Sequence, residues 1–264
     1  MTRFVKAHAC GNDFLIVESE CDPELAVRLC ARNTGVGADG VEFLTWTGAC
    51  SGRIRLVNAD GSIAEISGNG TRCVAAWIAH QRRLEPGHTV YLHTDAGKRD
   101  CRLMDVEGHR FWISTDMGEP RLARRQVRLG DGTEVEGIEV SMGNPHFVIF
   151  TEDELFASHG RAWQELGQEV CFHRNFPEQT NVEFVRVSGT NTLEIRIFER
   201  GVGPTTSSGT GTSAAAAATI FGQRGRARLM VRAPGGEQQV DWRGPGSELV
   251  LTGPAELIAE GEAW

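Results

Sequence analysis

Polar and apolar positions alternate along much of the chain. Residues 3–8, 14–18, 52–58, 89–93, 111–115, 192–198 and 227–231 follow the period of two expected of half-buried strands, and 41–46 reads as a further strand. Fewer stretches space their apolar residues at three and four. The spacing predicts helices over 23–31, 70–82, 152–170 and 211–221, each opened by a turn or capping residue. Strand runs outnumber helical runs without a regular strand–helix alternation, which predicts a β-rich α+β fold.

The two halves of the chain echo each other. Gly11-Asn12-Asp13-Phe14 is answered by Gly143-Asn144-Pro145-His146-Phe147, and Ser67-Gly68-Asn69-Gly70, opening a helix, by Ser208-Gly209-Thr210-Gly211, opening another. The two signals lie 55 residues apart in the first half, from Asn12 to Ser67, and 64 in the second, from Asn144 to Ser208. One unit copied and then altered by loop insertion accounts for this, and predicts two like domains, 1–118 and 119–264. The boundary falls in 117–125, where Gly118 and Pro120 sit among polar residues.

Composition narrows the function. The 264 residues carry 35 acidic and 27 basic side chains for a net charge of -8, which gives no support to nucleic-acid or anionic-membrane binding. No apolar run approaches the roughly 20 residues of a membrane span, and the first 17 residues lack the apolar block of a signal peptide, so a cytoplasmic protein is expected. Seven cysteines are scattered without a Cys-x-x-Cys pair, as free thiols would be, and no metal-ligand spacing is present. Lys6 and Lys98 are the only lysines, and neither sits in a phosphate-cradling loop, which counts against a pyridoxal-phosphate cofactor. Gly35-Val36-Gly37-Ala38-Asp39-Gly40 matches G-x-G-x-x-G, yet its helix precedes it and its strand follows, the reverse of a dinucleotide-binding turn. The glycine-rich stretch 201–211 lacks the lysine of a phosphate loop.

The two Ser-Gly-x-Gly helix starts carry more. Exposed N–H groups at a helix N-terminus seat a carboxylate, although serine there also serves as an ordinary cap. Asn12, Asn58, Asn144 and Asn181 stand in turn-like contexts nearby in sequence. Glu199 and Arg200 end an alternating run just before Gly201, where arginine could grip a carboxylate and glutamate an ammonium group.

Together these motifs resemble the diaminopimelate epimerases, cofactor-independent enzymes of lysine and peptidoglycan precursor synthesis. The resemblance spans nearly the whole chain. It is carried by His8-Ala9-Cys10-Gly11-Asn12-Asp13-Phe14, residues 32–39 (RNTGVGAD), Asn58-Ala59-Asp60-Gly61-Ser62, Gly68-Asn69-Gly70-Thr71-Arg72-Cys73, Gly143-Asn144-Pro145-His146, Asn181-Val182, Glu199-Arg200-Gly201-Val202-Gly203 and Gly209-Thr210-Gly211. It implies two similar domains, each a sheet wrapped around a central helix, with the active site in the cleft between them and the last strand, about 255–264, returning to the first domain. It also implies a small-molecule substrate, diaminopimelate, no cofactor or metal, and a homodimer. By the same resemblance, Asn12, Asn58, Gly68, Asn69, Asn144, Asn181, Glu199, Arg200, Gly209 and Thr210 bind substrate. Asn69 stands where proline racemases and their relatives usually have histidine, which favours the diaminopimelate branch.

At the two decisive positions the chain departs from the family. Ser67 and Ser208 occupy the places of the two catalytic cysteines, and Pro204 replaces a common glutamate. Inverting an α-carbon requires a base on one face and an acid on the other, and thiols near a helix N-terminus suit both roles. The Ser67/Ser208 form is therefore expected to be of low activity or inactive. The alternatives are a non-catalytic amino-acid-binding protein on the same scaffold, or a racemase or dehydratase of another amino acid.

Overall fold

A computed structural model describes residues 1–264. In chain order its elements are β1 (Thr2–Ala9), β2 (Asn12–Val17), α1 (Pro23–Cys30), β3 (Gly40–Gly48), β4 (Ser51–Asn58), β5 (Ile63–Ala64), α2 (Gly68–Arg82), β6 (Thr89–Thr94), β7 (Gly97–Glu107), β8 (Arg110–Asp116), β9 (Arg121–Arg128), β10 (Glu134–Ser141), β11 (Pro145–Phe150), α3 (Trp163–Cys171), β12 (Asn181–Gly189), β13 (Thr192–Glu199), β14 (Gly203–Thr205), α4 (Gly209–Phe221), β15 (Arg228–Ala233), β16 (Gly236–Asp241) and β17 (Val250–Ala263). Mixed α+β with strands dominant, as the alternation predicts, the chain divides into two compact units: residues 1–116 with 252–264, and residues 117–251. None of the helices is long and apolar enough to cross a membrane.

In the first unit, Cys10 and Gly11, both at positive φ, form the two-residue turn that folds β1 back on β2. β2 then pairs in parallel with β3, β3 antiparallel with β4, β4 in parallel with β6, and β6, β7 and β8 follow as antiparallel neighbours. β17 pairs with both β8 and β1, so the strands close on themselves around α2. Alternation along β2 serves two cores at once. Phe14 and Ile16 face α2, whereas Leu15 and Val17 join the outer core beneath α1.

The second unit repeats the scheme. β10 pairs with β9 and β11, β11 in parallel with β12, β12 antiparallel with β13, and β13 in parallel with β15. Val148 faces α4, and Phe147 and Ile149 face α3. Both central helices are buried on all sides through their first three turns, as a helix enclosed by sheet must be. The run Ala214–Ala218 gives α4 the small girth that lets strands pack closely around it.

One predicted helix is shorter than its periodicity implies. Residues 152–170 were expected to be helical, but α3 begins only at Trp163. The Asp153 carboxylate accepts from the N–H groups of Leu155 and Ala157, which fixes a turn, and Phe156, His159 and Gly160 all adopt positive φ. These local bonds outcompete the helix. The glycine cluster at 35–40 lies between α1 and β3, and a Cβ at Gly35 would sit 2.2 Å from the Arg28 carbonyl oxygen, so glycine is needed there for close packing.

Candidate active site

Each central helix begins the same way. Ser67 precedes α2 in an extended conformation and its Oγ accepts from the Gly70 N–H at 3.1 Å. Ser208 precedes α4 likewise, accepting from the Gly211 N–H at 3.2 Å. Both are therefore caps, and both stand at the positive end of a buried helix, which stabilises negative charge on an oxygen or on a bound carboxylate. Ser208 is 7 % exposed, so water screens its surroundings weakly.

In the first unit an ionic network holds the predicted site residues. Lys6 Nζ lies 2.9 Å from Asp13, and Arg32 bridges Asp13 at 3.1 Å and Asp39 at 2.7 Å. Asp39 accepts from Asn12 Nδ2 at 2.6 Å, and Asn12 Oδ1 accepts from Asn69 Nδ2 at 3.1 Å. Burial opposes ionisation of Asp13, but Lys6 and Arg32 outweigh it and hold the carboxyl below its ordinary range. The separate motifs around residues 6–13 and 32–39 thus meet to position Asn12 and Asn69. The Asn69 Oδ1 also accepts from buried Arg72 at 2.6 Å. Asn58, at the end of β4, pairs with Gly40 in the ladder and donates to Ser62 Oγ at 3.0 Å. Gly68 opens α2.

In the second unit, Asn144 Nδ2 donates to Thr210 Oγ1 at 3.3 Å, and Thr210 Oγ1 lies 3.4 Å from Ser208 Oγ. Asn181 donates to the Pro145 carbonyl at 3.0 Å and accepts from the Arg200 N–H at 2.9 Å. Glu199 ends β13, opposite Gly203 of β14. The exposed Arg200 guanidinium donates to the Glu178 carbonyl at 3.0 Å. Gly209 opens α4.

Two buried carboxyls lie under these helix ends, and reading the chain for sites missed them. Glu42 on β3 and Glu183 on β12 stand 141 positions apart, as do Ser67 and Ser208. Both occur in the string Val-Glu-Phe, a repeat that would have revealed them. A Cβ added to Gly70 would lie 2.0 Å from Glu42 Oε1, and one added to Gly211 would lie 2.8 Å from Glu183 Oε1. Glycine at the third helical position thus leaves room for the acid. Glu183 Oε1 lies 2.7 Å from His146 Nδ1, and both residues are fully buried. Burial raises the Glu183 pKa and His146 opposes that rise. Glu42 has no such partner. On the adjacent parallel strand Phe14, registered with Gly40, stands where the second unit has His146, registered with Asn181. Both Glu42 oxygens lack a hydrogen bond, and burial pushes its pKa to about 8.

Burial keeps three of the seven thiols protonated. Cys73 lies inside α2, fully buried, and burial drives its pKa far above the ordinary thiol value. Burial pushes Cys101 to about 12 and Cys30 to about 11.

Known proteins resemble this chain in sequence and in fold. A sequence model of the family described as diaminopimelate epimerase matches residues 4–123 and 138–258. The chain is 37 % identical to the diaminopimelate epimerase of Pelotomaculum thermopropionicum over 280 residues, with 98 % of each chain covered. It is 36 % identical to that of Moorella thermoacetica over 278 residues, again with 98 % of each covered. Among solved structures, a probable proline racemase from Agrobacterium radiobacter superposes with a TM-score of 0.76 at 14 % identity, covering 100 % of this chain and 93 % of the other. A hydroxyproline epimerase from Agrobacterium vitis gives 0.72 at 16 %, with 99 % and 90 % covered.

Proposed function

Because the chain belongs to the diaminopimelate epimerase family, we propose that it interconverts LL- and meso-2,6-diaminopimelate by proton transfer at the α-carbon, with Ser67 and Ser208 in the two acid–base positions. The observation that carries this reading is the repeated Ser-capped helix start, with an asparagine at the equivalent place in each unit: Asn12 bonded to Asn69, and Asn144 bonded to Thr210. Helix N-terminal N–H groups bind the α-carboxylate and stabilise the carbanion formed when the proton leaves. Asn58, Asn181, Glu199 and Arg200 recognise the distal amino-acid centre, and Gly68 and Gly209 admit close backbone approach. The reaction uses no cofactor or metal in this reading, and the protein acts in the cytoplasm as a homodimer.

A serine hydroxyl is several pK units less acidic than a thiol, and each unit adds about 1.4 kcal/mol to the formation of the basic species. Turnover of the chain as it stands is accordingly very slow. Calorimetry should show diaminopimelate bound much more tightly than lysine, which lacks the second carboxylate. Arg200→Ala should cost about 2–5 kcal/mol of that binding by leaving the carboxylate unpaired. Proton exchange at the substrate α-carbon in heavy water should be fast only after Ser67→Cys and Ser208→Cys are combined, since inversion needs both an acid and a base. Equal affinity for lysine would sink the substrate assignment. Binding without any exchange, even in the double-cysteine form, would leave a binding protein on this scaffold.

A further inference from the structure

Two asparagine amides in the first unit are strung between a carboxylate and a guanidinium. Asp39 accepts from Arg32 Nη2 on Oδ1 at 2.7 Å, and on Oδ2 from the Asp13 N–H at 3.2 Å and from Asn12 Nδ2 at 2.6 Å. Asn12 Oδ1 in turn accepts from Asn69 Nδ2 at 3.1 Å, and Asn69 Oδ1 accepts from Arg72 Nη2 at 2.6 Å. Arg72 is fully buried, and its Nε lies 3.5 Å from the Pro254 carbonyl oxygen on β17. Each end of this chain has one sense, since an ionised carboxylate only accepts and a guanidinium only donates. A flipped Asn12 would set its carbonyl against the Asp39 carboxylate, and a flipped Asn69 would set its NH2 group against the guanidinium. The end groups therefore decide which way round both amides lie. The repeat does not impose that sense: in the second unit Asn144 turns its NH2 group toward Thr210, which holds the position of Asn69.

We propose that Asp39 and Arg72 are positioning residues for Asn12: from opposite ends they fix the sense of its amide, so that Asn12 meets a ligand with an N–H and not with its carbonyl. The inference rests on the epimerase reading, in which Asn12 touches substrate, and adds which kind of substrate atom it takes. One hydrogen of the Asn12 amide is engaged by Asp39, and its oxygen by Asn69. The second amide hydrogen remains, on a residue that is half-buried where Asn69 and Arg72 are fully enclosed. A donor at that place suits an acceptor atom, a carboxylate oxygen of an amino acid, and disfavours an ammonium group. The fixed sense also pre-organises the site, because the amide need not turn when the ligand arrives.

Neutron diffraction from perdeuterated, ligand-free crystals reads the amide sense directly. The native chain should show the ND2 group of Asn12 on Asp39 and that of Asn69 on Asn12. Asp39→Asn combined with Asn69→Asp exchanges the two groups while keeping net charge and shape, although the Asp13 N–H gives up its acceptor. The carboxylate now at 69 accepts from both Arg72 and Asn12, and the amide now at 39 takes Arg32 on its oxygen and offers its NH2 group to Asn12 Oδ1. Asn12 should then be reversed. If that double variant fails to fold, Asp39→Asn alone removes the fixed acceptor and should leave Asn12 in both senses. By calorimetry, Asp39→Asn should weaken diaminopimelate binding about tenfold, and its loss should not add to that of Asn12→Ala, because both act at one amide. A native sense of Asn12 retained in these variants would overturn the proposal, since an amide held by packing alone ignores the exchange. Unchanged affinity in Asp39→Asn would overturn it equally. A native chain that fails to bind diaminopimelate removes the substrate reading, whereas the diffraction result needs no ligand and stands apart from it.

Discussion

Glu42 shows at the scale of one residue what a missing partner does. Its counterpart Glu183 shares a hydrogen bond with His146, whereas Glu42 meets neither a donor nor a cation. It stays protonated in the folded protein to about pH 8, while the same carboxyl in the unfolded chain loses its proton near 4.5. Between those values the folded state holds the extra proton. Its contribution is therefore fully present below about pH 4.5, falls by about 1.4 kcal/mol per unit as pH rises, and is gone above about 8. Urea unfolding of the native chain at about pH 5.5 and about pH 8 should differ by roughly 3 kcal/mol from this group, and Glu42→Gln should remove most of that difference. An unchanged slope in the variant would mean that Glu42 is already ionised in the fold. The acid was hidden in the sequence because alternation reads Val-Glu-Phe as a strand with one wet face. Here both faces of β3 are covered, and the polar position points at a helix.

At the scale of elements, the helix starts were legible and the helix interiors less so. Serine followed by glycine at the first and third helical positions marked the N-termini of α2 and α4, since capping is a local property. The start of α3 was not, because the turn held by Asp153 competes through bonds that periodicity does not register. Among the strands that escaped notice, β9 did so because five of its eight residues are polar or charged and its exposed positions follow no clean alternation. The glycine at the third position of each helix start makes a sharper claim. Replacing a mid-helix glycine with alanine ordinarily stabilises by up to about 1 kcal/mol. At Gly70 the new methyl would meet Glu42 Oε1 at 2.0 Å, and at Gly211 it would meet Glu183 Oε1 at 2.8 Å. Overpacking of this kind costs about 1–3 kcal/mol, so both substitutions should destabilise. Adding Glu42→Ala to Gly70→Ala should return the ordinary sign, a coupling that a double-mutant cycle of unfolding free energies measures directly. Simple additivity would show that the carboxyl moves aside without cost.

For the whole chain, a repeat offset by 132 residues at Asn12 and Asn144 and by 141 at Ser67 and Ser208 explains why two sets of motifs appear in one order, and the resemblance rests on the same order. What the repeat does not predict is how the first unit is closed. β17 supplies that, taking a place between β8 and β1 that no strand of residues 1–116 fills, and placing Ala255 and Leu257 in the core around α2. A chain ending at Leu251 would lose both side chains from that core. The Leu257 side chain alone accounts for about 1.5–3 kcal/mol of burial. It would also leave the facing edges of β1 and β8 with their backbone groups unpaired over the length of a strand, which exposes them to solvent and to edge pairing with other chains. The second unit, contiguous over 117–251, keeps all its pairings among β9 to β15. Hydrogen exchange of the truncated chain should therefore show amide protection lost in β1, β8 and α2 while β12, β13 and α4 remain protected. Protection retained in β1 and β8 would mean that the first unit closes without its last strand, and the uniform loss of protection across both units would mean that the two unfold as one.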